Sequence, residues 1–201
     1  MAHALNPAAT PFLPAVASLP TLPSAALAAT LDLLFEPSAD LHALALPTLR
    51  ALSFASYPDL IETLRNELLA IAESVGGDDD DGKAPLYNIL GSHPRLGEPK
   101  KEVLSAQSAA EQQRLQEGGA EEAERLRGLN REYEARFPGL RYVVFVNGRG
   151  RGEVVEDMRR RIERGDVREE EREAIRAMCD IAKDRAAKLQ KSSEEAVENG
   201  A

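Results

Sequence analysis

The residue best suited to acid–base chemistry in this sequence is His93, which precedes Pro94 and lies between Gly91 and Gly97. A proline ring excludes the right-handed helical conformation at the residue before it, so His93 should adopt extended or polyproline backbone. Its imidazole would then project from irregular backbone. Histidine is the side chain whose ordinary pKa lies nearest neutrality. We therefore predict a proton-transfer role for His93, with a structural or solvent-exposed histidine as the alternative.

Other kinds of catalytic site find little support. His3 lies in an Ala/Pro-rich arm and His42 in an Ala/Leu-rich segment, and together with the single Cys179 they offer too few donors for a metal site. The sequence has no nucleophilic triad motif, P-loop, HExxH motif or dinucleotide fingerprint, and the glycine–arginine run at 148–152 lacks the lysine of a phosphate loop. Any chemistry must therefore depend on protons and charge.

Two charged clusters have simpler explanations than binding sites. The acidic run Asp78 to Asp81 lacks the spaced ligands of a calcium loop, which favours a solvated loop. Acidic residues are interleaved with the arginine cluster, which favours a solvated helix face over a polyanion site. That cluster comprises Arg149, Arg151, Arg159, Arg160, Arg161 and Arg164.

Composition narrows the class of protein. With 34 acidic against 25 basic residues and a net charge of −9, the chain should be repelled by nucleic acid and by anionic lipid. No apolar run is long enough for a transmembrane span. A single cysteine favours a reducing, intracellular compartment, cytoplasmic or peroxisomal, although the last residues carry no peroxisomal signal.

Hydrophobic spacing predicts mostly helices. The predicted segments are a helix from Ser24 to Phe35, a second that begins near Ser38 to Asp40 and is interrupted or restarted at Pro47, a third from Tyr57 to Gly76, one starting at Ser108, and others at Ala120 to Phe137, Arg151 to Arg164 and Val167 to Leu189. The only convincing extended segment is Tyr142 to Val146, rich in β-branched and aromatic residues. One such segment cannot make a sheet.

We therefore predict an all-α fold, a single-domain bundle of about eight helices with one short extended segment lining the site. The predicted organisation is a disordered arm at 1–21, a helical domain at 22–190 with a flexible acidic loop at 76–84, and a disordered tail at 191–201.

Four motifs, in order, resemble one known family. They are Gly91-Ser92-His93-Pro94-Arg95-Leu96-Gly97, Ser108-Ala109-Ala110-Glu111-Gln112, the segment from Leu129 to Phe137, and the apolar strip ending in Asn147-Gly148-Arg149. Together they resemble the 2-oxo-4-hydroxy-4-carboxy-5-ureidoimidazoline (OHCU) decarboxylases from about Leu22 to Leu189. The resemblance implies an all-α homodimer without metal or organic cofactor that removes CO2 from OHCU and yields (S)-allantoin in urate degradation.

The resemblance also implies site residues. His93 would carry the proton, with Glu111 and Arg185 as its catalytic partners. Substrate would contact Pro94, Ser108, Gln112 and the strip Val143, Val144, Phe145, Val146 and Asn147. These roles suit a decarboxylation, because hydrogen-bond donors can stabilise the charge that develops on the ring and an arginine can bind a carboxylate bidentately.

Simpler explanations and departures from the family pattern remain. Glu111 would otherwise be half of a capping box, Arg185 a helix-face cation and Val143 to Val146 core. The family commonly has arginine at the position of Asn147 and an acid at that of Arg95. Two other functions stay open, a non-catalytic helical protein-interaction module and the same fold acting on another ureido heterocyclic acid.

Overall fold

The computed structural model describes residues 12–74, 80–97 and 120–198, and these residues contain helices but no β-strand. The all-α prediction is confirmed. The described α-helices are α1 (Ser24–Leu34), α2 (Ala39–Ala51), α3 (Tyr57–Glu73), α4 (Ala84–Gly91), α5 (Ala120–Arg136), α6 (Arg151–Arg164) and α7 (Val167–Glu198), with short 3-10 helices at Val16–Thr21 and Asp80–Lys83. Within these ranges, no helix combines the length and apolar character needed to cross a membrane.

Serine side chains cap the second and third helices. The Ser38 hydroxyl accepts from the amide of Leu41 at 3.3 Å, and the Ser56 hydroxyl accepts from the amide of Asp59 at 3.3 Å. Each bond satisfies one of the amides that the first helical turn leaves without an intrahelical partner. The predicted start of α2 near Ser38 is therefore confirmed, because Ser38 caps the helix that begins at Ala39.

Pro47 does not interrupt α2, so that expectation was wrong. The helix continues from Ala39 to Ala51 through the proline. Proline removes one intrahelical hydrogen bond. Leu41, Ala45 and Leu49, which lie before and after it on one face, are all buried in the core. We attribute the continuity to this packing, which holds the turns on both sides of Pro47 against the same neighbours.

At both ends of the described chain, helical structure extends beyond the bounds that hydrophobic spacing predicted. Residues 12–21, assigned to a disordered arm, carry a 3-10 helix that packs on α2, and Leu13 and Leu19 in this segment are buried. The Tyr57 hydroxyl donates to the Pro14 carbonyl at 2.7 Å, which ties the segment to α3. At the other end, α7 runs to Glu198 instead of ending near Leu189.

The long helix α7 is the central element of the bundle. It packs on α1, α3 and α4, and its most extensive contact is with α3. Its buried apolar residues are Ala174, Ile175, Met178, Cys179, Ile181, Ala182, Ala186 and Leu189. Helix α5 packs on α6, and residues 137–150 connect these two helices. The functional candidates lie on α7, in this connection and just beyond α4.

Candidate active site

His93 lies two residues beyond the end of α4 and is buried, with 5% of its surface exposed. The amide of Ser92 donates to the Ile89 carbonyl at 3.1 Å, and that of His93 donates to the Leu90 carbonyl at 3.4 Å. These bonds complete the last turn of α4, after which the backbone is irregular through Pro94 and Arg95. The histidine thus projects from irregular backbone, as its Pro94 neighbour predicted.

Helix α5 fixes the segment that follows His93. The buried Asn130 side chain donates to the Leu96 carbonyl at 2.9 Å. Glu134, one turn later on the same helix, accepts two bonds from Arg95 at 2.6 and 2.8 Å. Asn130 belongs to the third sequence motif and Leu96 to the first, so the structure brings these two motifs into contact. Where the family commonly has an acid this chain has Arg95, and Glu134 is its acidic partner.

A second contact joins His93 to the segment after α5. The Arg141 guanidinium donates to the His93 carbonyl at 3.0 Å. Arg141 immediately precedes the apolar strip, which we define as residues Tyr142 to Val146. The structure therefore brings the predicted proton carrier and the beginning of the predicted substrate-binding strip together through one residue.

The strip ends in a tight turn. Asn147 and Gly148 both have positive φ, 40° and 78°, and the Arg149 amide donates to the Val146 carbonyl at 2.8 Å. Positive φ at both central residues is typical of a type I′ turn, in which asparagine followed by glycine is favoured. This geometry gives a conformational reason for asparagine at position 147.

Most carbonyls of the strip accept hydrogen bonds, whereas three of its amides have no acceptor in the part of the chain that the structure describes. Arg161 donates to the Val143 carbonyl at 3.0 Å, and the Arg149 guanidinium donates to the carbonyls of Phe145 and Val146. Among the described residues, no acceptor pairs with the amides of Val144, Phe145 and Val146. The strip therefore has mainly hydrogen-bond donors to offer a ligand.

A cavity of about 520 Å³ lies between the end of the strip and α7. That volume is in the range of small-molecule sites. Its lining includes Phe145, Val146 and Asn147 of the predicted site and the three α7 residues Ile181, Asp184 and Lys188. The end of the strip is thus part of a cavity wall, whereas Tyr142 and Val143 at its beginning are buried in the core.

Arg185 is buried on α7, next in sequence to Asp184 of the cavity wall, with 2% of its surface exposed. It donates to the carbonyl of Leu34, the last residue of α1, at 3.3 Å and to the Glu36 carboxylate at 3.0 Å. These bonds direct it toward the connection between α1 and α2. A helix-face cation, offered as the simpler explanation of Arg185, does not account for this buried pairing with Glu36.

Three predicted site residues, Ser108, Glu111 and Gln112, lie outside the described residues, as does the helix expected to start at Ser108. Pro94 is half-buried beside His93. Within the described ranges, no group of three or more histidine, cysteine, aspartate and glutamate side chains is arranged to hold a metal ion.

The sequence analysis missed a buried charged cluster that holds the strip. Arg161, predicted to lie on a solvated face, is 3% exposed and pairs with the fully buried Glu170. Burial alone would lower the pKa of Arg161, but the hydrogen bonds and charge of Glu170 raise it above its ordinary value. Arg159 and Arg160 are exposed, as predicted. Arg161 follows buried Val154 and Met158 at helical spacing, a signal that could have identified it.

Glu36 was also missed. It is 1% exposed and lies in the connection between two helices, where hydrophobic periodicity gives no indication of burial. Its pairing with Arg185, 149 positions later in the chain, gives a reason for a carboxylate at this place.

Comparison with known proteins identifies one family. A family model described as OHCU decarboxylase matches residues 20–187, most of the 201-residue chain. No curated protein matches the sequence with significant similarity.

Asn130→Asp should loosen the segment after His93, because it replaces the amide donor to the Leu96 carbonyl with a carboxylate oxygen of the same shape. Leaving this buried carbonyl without its donor should lower the free energy of unfolding by about 1–3 kcal/mol. Urea denaturation would measure the change. Asn88→Asp, at an exposed position of α4, is the matched control. Equal stability of the two variants would contradict the assigned contact.

Proposed function

Because the chain belongs to the OHCU decarboxylase family, we propose that this decarboxylase converts OHCU to (S)-allantoin and CO2 in urate degradation. The observation that carries the proposal is the position of His93, which is buried and whose backbone carbonyl accepts from Arg141, next in sequence to the strip. The strip borders a cavity, and its last three amides have no acceptor among the described residues. The buried histidine suits proton transfer, and the amides of the strip suit stabilisation of developing negative charge.

The chemistry requires a place for electrons and a source of a proton. When the bond to the carboxylate carbon breaks, CO2 leaves and the bonding pair moves into the ring toward the adjacent C=N group. A proton must then reach the ring carbon that bears the ureido group from one face, to give a single enantiomer. The hydroxyl proton on the carbon that lost CO2 leaves as the C=O group of allantoin forms there. His93 would deliver this proton as a positioned acid, a role that typically contributes a factor of about 10²–10⁴ in rate.

The strip would stabilise the negative charge that develops as CO2 leaves. Its amides from Val144 to Val146, which have no acceptor among the described residues, would donate to ring or ureido oxygens, which become more negative as CO2 departs. Since arginine side chains already bind the carbonyls of Val143, Phe145 and Val146, the strip is better suited to oxygen atoms of the substrate than to its N–H groups. This preference fits an oxidised heterocycle carrying several carbonyl groups.

Arg185 has a more limited part in the proposal than the sequence suggested. Its guanidinium is oriented by Glu36 and the Leu34 carbonyl, and Glu36 offsets its charge. We propose that it stabilises the departing carboxylate from behind the cavity wall formed by α7, which Arg185 itself does not line. Glu111, Ser108 and Gln112 keep the contacts to polar groups of the substrate that the resemblance implies.

His93→Gln should lower the rate of (S)-allantoin formation at least about a hundred-fold, because glutamine cannot exchange a proton near neutral pH. OHCU freshly generated from urate is supplied, and chiral allantoin is followed by circular dichroism. His42→Gln is the matched control: His42 lies on α2 and pairs with Asp32 at 2.7 Å, so this variant should keep wild-type activity.

Two results would contradict these assignments. If the wild-type protein does not accelerate allantoin formation over the spontaneous reaction, the proposed reaction is wrong. If His93→Gln is as active as His42→Gln, the proton carrier is another residue. A panel of related ureido acids, assayed in parallel, would identify a different substrate of the same fold.

Activity should not depend on a metal ion or organic cofactor. Exhaustive dialysis against EDTA should leave kcat within about two-fold of its initial value, since a chelator inactivates only proteins that use the metal it removes. A loss of activity that added divalent cations restore would contradict cofactor independence.

The proposal includes a homodimer, as the family resemblance implies. Sedimentation velocity at micromolar protein concentration should give twice the mass of the 21.9 kDa chain. A single species with the mass of one chain would exclude a stable dimer.

A further inference from the structure

We infer that Arg161, held by Glu170, is a positioning residue that fixes the backbone strip of the active site. The inference rests on the proposed function for its catalytic consequence, but the contact itself is independent of any substrate. Arg161 lies on α6, outside the four sequence motifs, and is not among the residues that line the cavity of about 520 Å³. It would act on the reaction only through the position of Val143 and the residues after it.

The geometry makes Arg161 a rigid link between α7 and the strip. Its Nε donates to the two Glu170 oxygens at 2.9 and 3.1 Å, while its Nη1 donates to the Val143 carbonyl at 3.0 Å. Glu170 accepts a further hydrogen bond from the Tyr133 hydroxyl of α5. The guanidinium is planar, so fixing its Nε side on Glu170 also fixes the direction in which Nη1 points.

The strip has few other fixed points. No β-strand lies beside it in the described part of the chain. The Tyr142 hydroxyl donates to Asp157 at 2.7 Å and lies 3.2 Å from the Val154 carbonyl oxygen, which anchors the residue before Val143 to α6. The Arg161 guanidinium also lies 4.8 Å from the Tyr142 ring centroid, a cation–π distance. Both anchors hold the beginning of the strip, and the amides of Val144 to Val146 follow directly.

The cluster is poorly explained by stability alone. A buried ion pair gains little net stability over a well-packed apolar pair, because removing both charges from water costs about as much as their attraction returns. What apolar packing could not provide is a directed donor for a backbone carbonyl. Displacing catalytic donors by about 1 Å can reduce a rate by roughly a hundred-fold. A fixed strip is therefore the advantage that Arg161 gives.

Arg164 supplies a matched control. It lies on the same helix and, like Arg161, pairs with both Glu170 and Glu173. Its bonds to these two carboxylates are 3.0 and 2.8 Å long. It makes no contact with the strip among its described bonds, and its side chain is 25% exposed. Arg161→Lys and Arg164→Lys both preserve the charge, but only the first removes the fork that joins Glu170 to Val143.

The test compares the two lysine variants in the full-length protein. NMR relaxation of the backbone amides of residues 142–147 measures the order parameters of the strip in the absence of substrate, and steady-state kinetics with OHCU measures kcat and KM. In Arg161→Lys, the order parameters of the strip should fall from about 0.85, typical of a rigid backbone, to below about 0.6. Its kcat should fall about ten-fold or more, with a smaller change in KM. Arg164→Lys should keep the order parameters of the wild-type protein and a kcat within about two-fold of it.

Two outcomes would overturn the inference. One is unchanged order parameters of the strip in Arg161→Lys; the other is an equal loss of activity in both variants, which would indicate a merely structural cluster. The failure of the proposed function is distinguishable, since a wild-type protein inactive on OHCU can still show the difference in order parameters. If Arg161→Lys does not fold, Glu170→Gln, which keeps the shape and one acceptor oxygen, must lower the order parameters of the strip, and unchanged values there would refute the role.

Discussion

Three charged residues on α7 are buried, and each is paired with a different part of the chain. Glu170 pairs with Arg161 of α6, and Arg185 pairs with Glu36. Glu171 accepts hydrogen bonds from the Lys83 ammonium at 2.8 Å and from the Tyr87 hydroxyl at 2.8 Å. Removing one partner of such a pair typically costs about 3–5 kcal/mol, because the other charge stays buried. Helix α7 therefore cannot slide or rotate against its neighbours without exposing or separating these charges. The arrangement of the other helices depends on this constraint.

The candidate site inherits its geometry from these pairs. Glu170 and Arg185 are separated by fifteen positions, or roughly 22 Å of helix. One pair fixes the strip and the other fixes the connection between α1 and α2, while the cavity borders residues of α7 that lie near Arg185. Apolar packing supplies the stability of the bundle but tolerates small shifts. Directed polar bonds to the carbonyls of His93, Leu96 and Val143 define where the irregular segments lie.

Helices were predictable where hydrophobic spacing and terminal signals agreed. The bounds of α6 matched the sequence prediction, and α5 ended before Pro138 as expected. Errors arose where long-range packing outweighed a local preference. Pro47 favours a break, yet the buried face of α2 keeps the helix continuous. The segment with Leu13 and Leu19 contains several prolines, yet it carries a 3-10 helix that packs on α2 and buries both leucines.

The sequence by itself determined the helical class, the family resemblance and the candidacy of His93, because these depend on local spacing and on short motifs. It could not determine which charges are buried. Arg161 and Arg160 are adjacent and of the same type, yet one holds the strip and the other is exposed. Only the tertiary structure decided this, since the burial of a charge depends on a partner contributed by another helix. Glu36 and Arg185 likewise acquire their roles from a contact between distant parts of the chain.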